Sequence, residues 1–213
     1  MKNKFEKEVR EKKFRVTIFG SARMKKGDKE YKDVYNLAKM VGMRGIDVVS
    51  GGGPGIMEAA SAGHKAGSKK TKARTIGLNI KLPHEQRSNP YLDIEVKFKR
   101  FSKRLDNFMA LSNAIVVAHG GIGTMLELFF SWQLMQVKQI CNTPIILLGE
   151  QWKGLIKWLE KEPLRRRFFE KKDLDLLFFA KNYKEAIEII EEAYGEYKKG
   201  TKDFCLNYDK YKL

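Results

Sequence analysis

The chain has 213 residues, 43% of them apolar, which suits a folded domain with a substantial core and excludes a disordered chain. No apolar run approaches the roughly 20 residues that a bilayer-spanning helix requires, and the first thirteen residues, MKNKFEKEVREKK, carry charges of both signs with no apolar core of a secretory signal. Lys and Arg number 42 against 26 Asp and Glu, a net charge of +16 that favours anionic partners, phosphorylated metabolites included.

In chain order, strand-length apolar runs alternate with segments of helical period, the pattern of a parallel sheet wrapped by helices. Residues 14–20 (FRVTIFG) read as a first strand. Residues 28–44 read as a helix with Tyr31, Val34, Leu37, Ala38 and Val41 on one face. A short strand at 47–50 runs into GGGPG, and Pro54 suits the first turn of a helix reaching about residue 66. Strands follow at 75–80 and 94–98, separated by the loop KLPHEQRSNPY, then a helix at 102–112 and a strand at 114–118. The loop HGGIGT leads into a long helix to about 137. Beyond it come a strand at 144–148, a helix at 151–168, a short strand at 176–180 and a helix at 183–198. The fold class this predicts is α/β, a Rossmann-like three-layer α/β/α arrangement on a mostly parallel sheet of six to seven strands. The expected division is a charged N-terminal extension (1–13), one α/β domain (14–198) and a C-terminal tail (199–213).

Cys141 and Cys205 lie far apart without metal-type spacing, and the three histidines are scattered, so no zinc site is expected. Two reduced thiols and a cytoplasmic location are the expectation. The basic residues fall in short runs at 69–74, 97–104 and 165–167. Such runs specify little on their own, so the reading is a solvated basic surface, with neither nucleic acid nor membrane as a partner.

Chemistry is expected at the two glycine turns. A glycine-rich turn between strand and helix lets the backbone approach a phosphate, and the first N–H groups of the helix then face the anion. A tight turn made for conformational reasons alone is the competing explanation. Neither turn ends in the Gly-Lys-Ser/Thr of a P-loop. Neither has the full dinucleotide spacing with an acid about 20 residues further on, so NAD is disfavoured. On the otherwise apolar helix after the second turn, Thr124, Glu127 and Ser131 share one face. That face meets water, a subunit or a pocket. A buried Glu127 would need a cation, and Arg104 on the preceding helix is the best candidate.

The run from Gly120 to Glu127 (GGIGTMLE) resembles the PGGxGTxxE motif of the LOG (Lonely Guy) family, also known as lysine decarboxylase-like. FGSAR, SGGGPGIMEAA and LPHEQRSNPYLD are similar to its other blocks, and the resemblance covers residues 14 to 195. It is nearest to the branch of nucleotide 5′-monophosphate nucleosidases. The resemblance implies hydrolysis of the N-glycosidic bond of nucleoside 5′-monophosphates, of the AMP or cytokinin riboside type, to free base and ribose 5-phosphate. Arg104 and Glu127 would be the catalytic pair. Gly120, Gly121, Gly123 and Thr124 would bind phosphate, with Gly52, Gly53 and Gly55 as a second wall and Ser21 and Glu85 as further substrate contacts. The resemblance implies no metal or organic cofactor, and a homodimer or higher homo-oligomer. Departures are His119 for the motif's proline, Ser102 for its histidine and Leu105 for its lysine. The alternatives are a non-catalytic nucleotide or molybdenum-cofactor carrier of the same fold, a single-strand DNA binder, and a pyridoxal phosphate decarboxylase using His64 and Lys65.

Overall fold

The computed structural model describes residues 2–81 and 87–200. Seven strands pair, all in parallel, into one sheet of order β4-β3-β2-β1-β5-β6-β7. They are β1 (Arg15–Phe19), β2 (Asp47–Ser50), β3 (Thr75–Ile80), β4 (Ile94–Phe98), β5 (Ala114–Val117), β6 (Ile145–Leu148) and β7 (Leu177–Ala180). The eight α-helices among the described residues are α1 (Lys2–Arg10), α2 (Lys29–Met43), α3 (Ile56–Gly67), α4 (Phe101–Leu111), α5 (Ile122–Gln136), α6 (Gln151–Leu159), α7 (Lys171–Leu174) and α8 (Tyr183–Lys199). The three-layer α/β/α fold expected from the sequence is the one observed.

The central strands are buried along their whole length, which is why they read as continuous apolar runs rather than alternating ones. Successive residues still point to opposite faces. Val16, Ile18, Ala114 and Val116 pack under α2, α3 and α8, whereas Phe19, Ile115 and Val117 pack under α4, α5 and α6. The face read for α2 is the buried one: Tyr31, Val34, Leu37, Ala38 and Val41 all lie in the first of these cores.

Three departures from the sequence reading have identifiable causes. The charged N-terminal stretch forms α1 because Phe5 packs edge-on against Phe98 and Glu8 is buried against Arg15 and Arg74. Pro54 precedes α3 rather than opening it, since the N-cap is Gly55 at φ +67°. A side chain at Gly55 would run into the Ser21 carbonyl, so glycine is required there for both space and backbone conformation. The helix read for 151–168 ends at Leu159 and loosens into a π turn, Glu160–Leu164, around Pro163, which has no N–H to continue the ladder.

Topology places the site. From β1 the chain winds outward through β2, β3 and β4, then crosses back to β5 on the other side of β1. The sheet reverses between β1 and β5, and in such sheets ligands bind in the crevice beyond the carboxyl ends of the strands flanking the reversal.

Candidate active site

A cavity of about 520 Å³ opens at that reversal, within the roughly 300–1,000 Å³ of small-molecule sites. Its walls come from the end of β1 and the loop after it (Ser21, Arg23), the turn after β2 (Gly51), α4 (Phe101, Arg104) and the start of α5.

α5 begins at Ile122 with Gly121 as N-cap, and no side chain caps it. The first N–H groups of a helix have no carbonyl one turn back to bond, so here they are left to the cavity that Gly121, Ile122, Gly123 and Thr124 line. A Cβ on Gly121 or Gly123 would meet nothing within 4 Å. Gly120 stands apart. Its N–H donates to Oε1 of Gln151 (3.2 Å), its carbonyl accepts from Nε2 of the same side chain (2.7 Å), and a Cβ on it would collide with Thr124. Gly120 therefore holds the turn, while Gly121 and Gly123 face the cavity.

The polar stripe on α5 points inward. Thr124, Glu127 and Ser131 are buried, while Ile122, Met125, Leu126 and Phe129 are exposed. Ser131 returns its hydroxyl to the Glu127 carbonyl (2.7 Å). Glu127 meets Arg104, whose Nη2 donates to Oε1 at 2.6 Å, with both side chains only 11% exposed. Burial pushes the Glu127 carboxyl up to about 7, against the opposing pull of Arg104. Burial also lowers Arg104, with Glu127 pulling the other way. The guanidinium carbon of Arg104 sits 5.2 Å from the centroid of Phe108 and 6.0 Å from that of Phe101. The buried Nε of Arg104 has no hydrogen-bond partner among the described residues.

The first glycine turn is built differently. Only Gly51 lines the cavity. The Gly52 N–H donates to Ser50 Oγ, and the Gly52 and Gly53 carbonyls accept from the backbone and side chain of Asn89. Gly52 and Gly53 are thus tied into the loop framework, and Gly52, Gly53 and Gly55 are not part of the cavity lining. Ser21 joins the two turns: its N–H donates to the His119 carbonyl, its carbonyl accepts from the Ile56 N–H, and its hydroxyl accepts from the Arg23 N–H. Glu85 lies outside the described residues.

The motif departures sort themselves by position. The His119 ring packs over Gly149, Ser102 is exposed and outside the lining, and Leu105 is buried and lines the cavity. Sequence reasoning missed Arg23, Gln151 and Asn89. Arg23 was visible inside FGSAR as the single cation of that block, whereas nothing local marks Gln151 or Asn89 as a staple. His64 is fully buried with Nε2 against the Ile46 carbonyl, and Lys65 pairs with Asp93 on the surface. Neither lines the cavity, so they make no Schiff-base pocket. Among the described residues no cluster of three His, Cys, Asp or Glu could hold a metal ion, and no helix is long and apolar enough to cross a membrane.

A doubly wound parallel α/β sheet with an open helix N-terminus and a buried ion pair beside its reversal point places the chain among the Rossmann-like α/β proteins. Within that class, the family model described as "Possible lysine decarboxylase" matches residues 57–190, and the chain belongs to that family, the one its glycine motif resembles. The chain is 27% identical over 107 residues to the pyrimidine/purine nucleotide 5′-monophosphate nucleosidase of Escherichia coli K12. That match takes in 48% of this chain and 24% of the relative, so the chain spans about a quarter of that enzyme's length. The molybdenum cofactor binding protein of Rippkaea orientalis superposes with a TM-score of 0.65 at 20% identity, over 86% of this chain and 98% of the other. The molybdenum cofactor carrier protein of Chlamydomonas reinhardtii gives 0.60 at 20% identity, over 86% and 99%. At that identity the likeness is one of fold.

Proposed function

We propose that the protein hydrolyses the N-glycosidic bond of nucleoside 5′-monophosphates, with Arg104 and Glu127 as the catalytic pair. The observation that carries this reading is the buried Arg104–Glu127 contact at 2.6 Å, opening on the cavity beside the free N-terminus of α5. The name of the Escherichia coli relative supports the substrate class. The 5′-phosphate would sit on the N–H groups of Ile122, Gly123 and Thr124, where the helix dipole favours an anion. Arg23, which lines the same wall and has no acidic partner among the described residues, would add a full positive charge.

Glu127, one turn into α5, would then lie below the ribose. As the bond from C1′ to the base nitrogen breaks, positive charge develops on the sugar, and a carboxylate beside it stabilises that charge. The same carboxylate takes a proton from the attacking water, whose oxygen bonds to C1′; the departing base nitrogen is protonated from solvent, and Glu127 returns its proton to solvent, so that one water is consumed in all. A group that titrates near 7 suits this exchange, because it is substantially ionised at neutral pH and still basic enough to accept. Arg104 keeps Glu127 from remaining fully protonated. A carrier that only binds a nucleotide or a molybdenum cofactor has no need of a carboxylate so placed.

The exposed apolar face of α5, with Ile122 89% and Leu126 47% exposed, lies along the rim of the cavity. A second copy of the chain covering it would make the homodimer expected from the sequence, and light scattering tests this. The activity is tested by incubating the protein with AMP, GMP, CMP, UMP and IMP and following free base and ribose 5-phosphate by chromatography. Release of both products, abolished in Glu127→Ala, is the expected result. Turnover of none of the five, or full activity in the variant, sinks the reading.

A further inference from the structure

The α5 N-terminus, Arg23, Arg104 and Glu127 account for the phosphate and sugar on that reading. The lining also holds apolar side chains to which that reading gives no role, among them Phe101 and Leu105 from α4, Met57 from α3 and Leu126 from α5. Phe101 is the unusual one. It is the first residue of α4, three before Arg104 and therefore on the same helical face, and half of its surface (51%) is open. Arg104 is already steadied by the fully buried Phe108, itself packed edge-on against Phe19 at 4.9 Å. Phe101 is not needed for that task. It is a large aromatic lining a cavity whose charged side chains, Arg23, Arg104 and Glu127, are given to the sugar phosphate on that reading.

Resting on the monophosphate reading, we propose that Phe101 is the platform on which the nucleobase stacks. The base is held by its face, with the Met57 thioether and Leu105 completing an apolar slot. Every base offers a π face, so stacking on an aromatic side chain tolerates purine and pyrimidine alike. None of these side chains has a donor or acceptor able to read a base edge, so the slot grips bases without selecting among them.

The test is binding in a Glu127→Gln background, where the ligand survives the measurement. Affinities for AMP, UMP and ribose 5-phosphate are measured by calorimetry with Phe101 intact, with Phe101→Ala and with Phe101→Trp. The alanine variant is expected to lose about tenfold or more in affinity for both nucleotides, in line with base stacking on an aromatic, and to keep its affinity for ribose 5-phosphate within about twofold. The tryptophan variant is expected to restore nucleotide binding. An equal loss for ribose 5-phosphate, with or without a change in oligomeric state by light scattering, makes Phe101 structural or a subunit contact and overturns the proposal. Unchanged nucleotide affinity in the alanine variant overturns it too. If wild type binds AMP through Phe101 but releases no base, the hydrolase reading fails while the platform stands. If it binds neither AMP nor ribose 5-phosphate, both fall.

Discussion

The two glycine turns have similar sequences and different surroundings. After β2, Gly52, Gly53 and Gly55 are tied down by Ser50, Asn89 and Ser21, and Gly55 requires a left-handed backbone. After β5, one glycine is tied down, by Gln151, and the next residues open a helix toward a cavity whose floor is an ion pair. Glycine at the first turn answers the close approach of other backbone. At the second it leaves room beside free N–H groups. The same residue type therefore marks a clamp in one place and the edge of a cavity in the other, and only the surroundings distinguish them.

The sharpest test of that contrast lies just beyond the second turn. Glu127→Gln keeps the shape of the side chain and removes its charge, and kcat for base release is expected to fall by about a thousandfold, the usual worth of a positioned base. A drop of less than tenfold would remove Glu127 from the chemistry.

The first turn should respond in stability instead. Gly55→Ala forces a side chain onto φ +67° and into the Ser21 carbonyl, at a cost of about 1–3 kcal/mol. Denaturant unfolding should show that loss, with KM little changed in the folded fraction. A large KM effect without loss of stability would reverse the assignment of the two turns.

Glu127 also makes stability depend on pH, and the direction follows from its raised pKa. The folded protein holds the proton up to about 7, whereas the unfolded chain releases it near the ordinary 4.5. Stability contributed by this group is therefore present below about 4.5, is lost as pH rises toward 7, and stays lost above it. Glu127→Gln mimics the protonated form, so its melting temperature should match wild type at pH 5 and exceed it at pH 8. Equal melting temperatures at both values would show that the carboxyl is not so raised. In the same way kcat/KM should climb with pH on an acid limb near 7, provided Glu127 works as a carboxylate.

The smallest effect is expected from Gly123→Ala. The added methyl meets nothing within 4 Å and sits in the first turn of α5. The fold should tolerate it or gain up to about 1 kcal/mol, as glycine is a poor helix former, while KM rises several-fold because the methyl stands in the cavity. A loss of stability with unchanged KM would place Gly123 with the clamp.

Much of this was legible beforehand. β2, β3 and β4 occupy the predicted ranges, and the apolar face of α2 was identified residue by residue, because period and burial agree in elements that pack on one side only. The stripe of Thr124, Glu127 and Ser131 was legible as a stripe, but not its direction. On α5 the exposed face is the apolar one, so pattern alone could not say whether the polar residues faced water or the interior. α1 was missed because its burial depends on Arg15 and Arg74, partners that follow it in the chain and make a charged helix worth burying.

Local sequence settled the alternation of strands and helices, the residues able to turn tightly, and a carboxylate one helical turn beyond a glycine loop. These depend on backbone geometry and on neighbours within a few positions. The crossing from β4 back to β5 decided the rest. It set the end of β1 against the start of α5 and brought Arg104 within 2.6 Å of Glu127 across 23 residues. The altered proton affinity of that pair comes from desolvation, and desolvation is a property of everything packed around a group rather than of the group's neighbours in sequence.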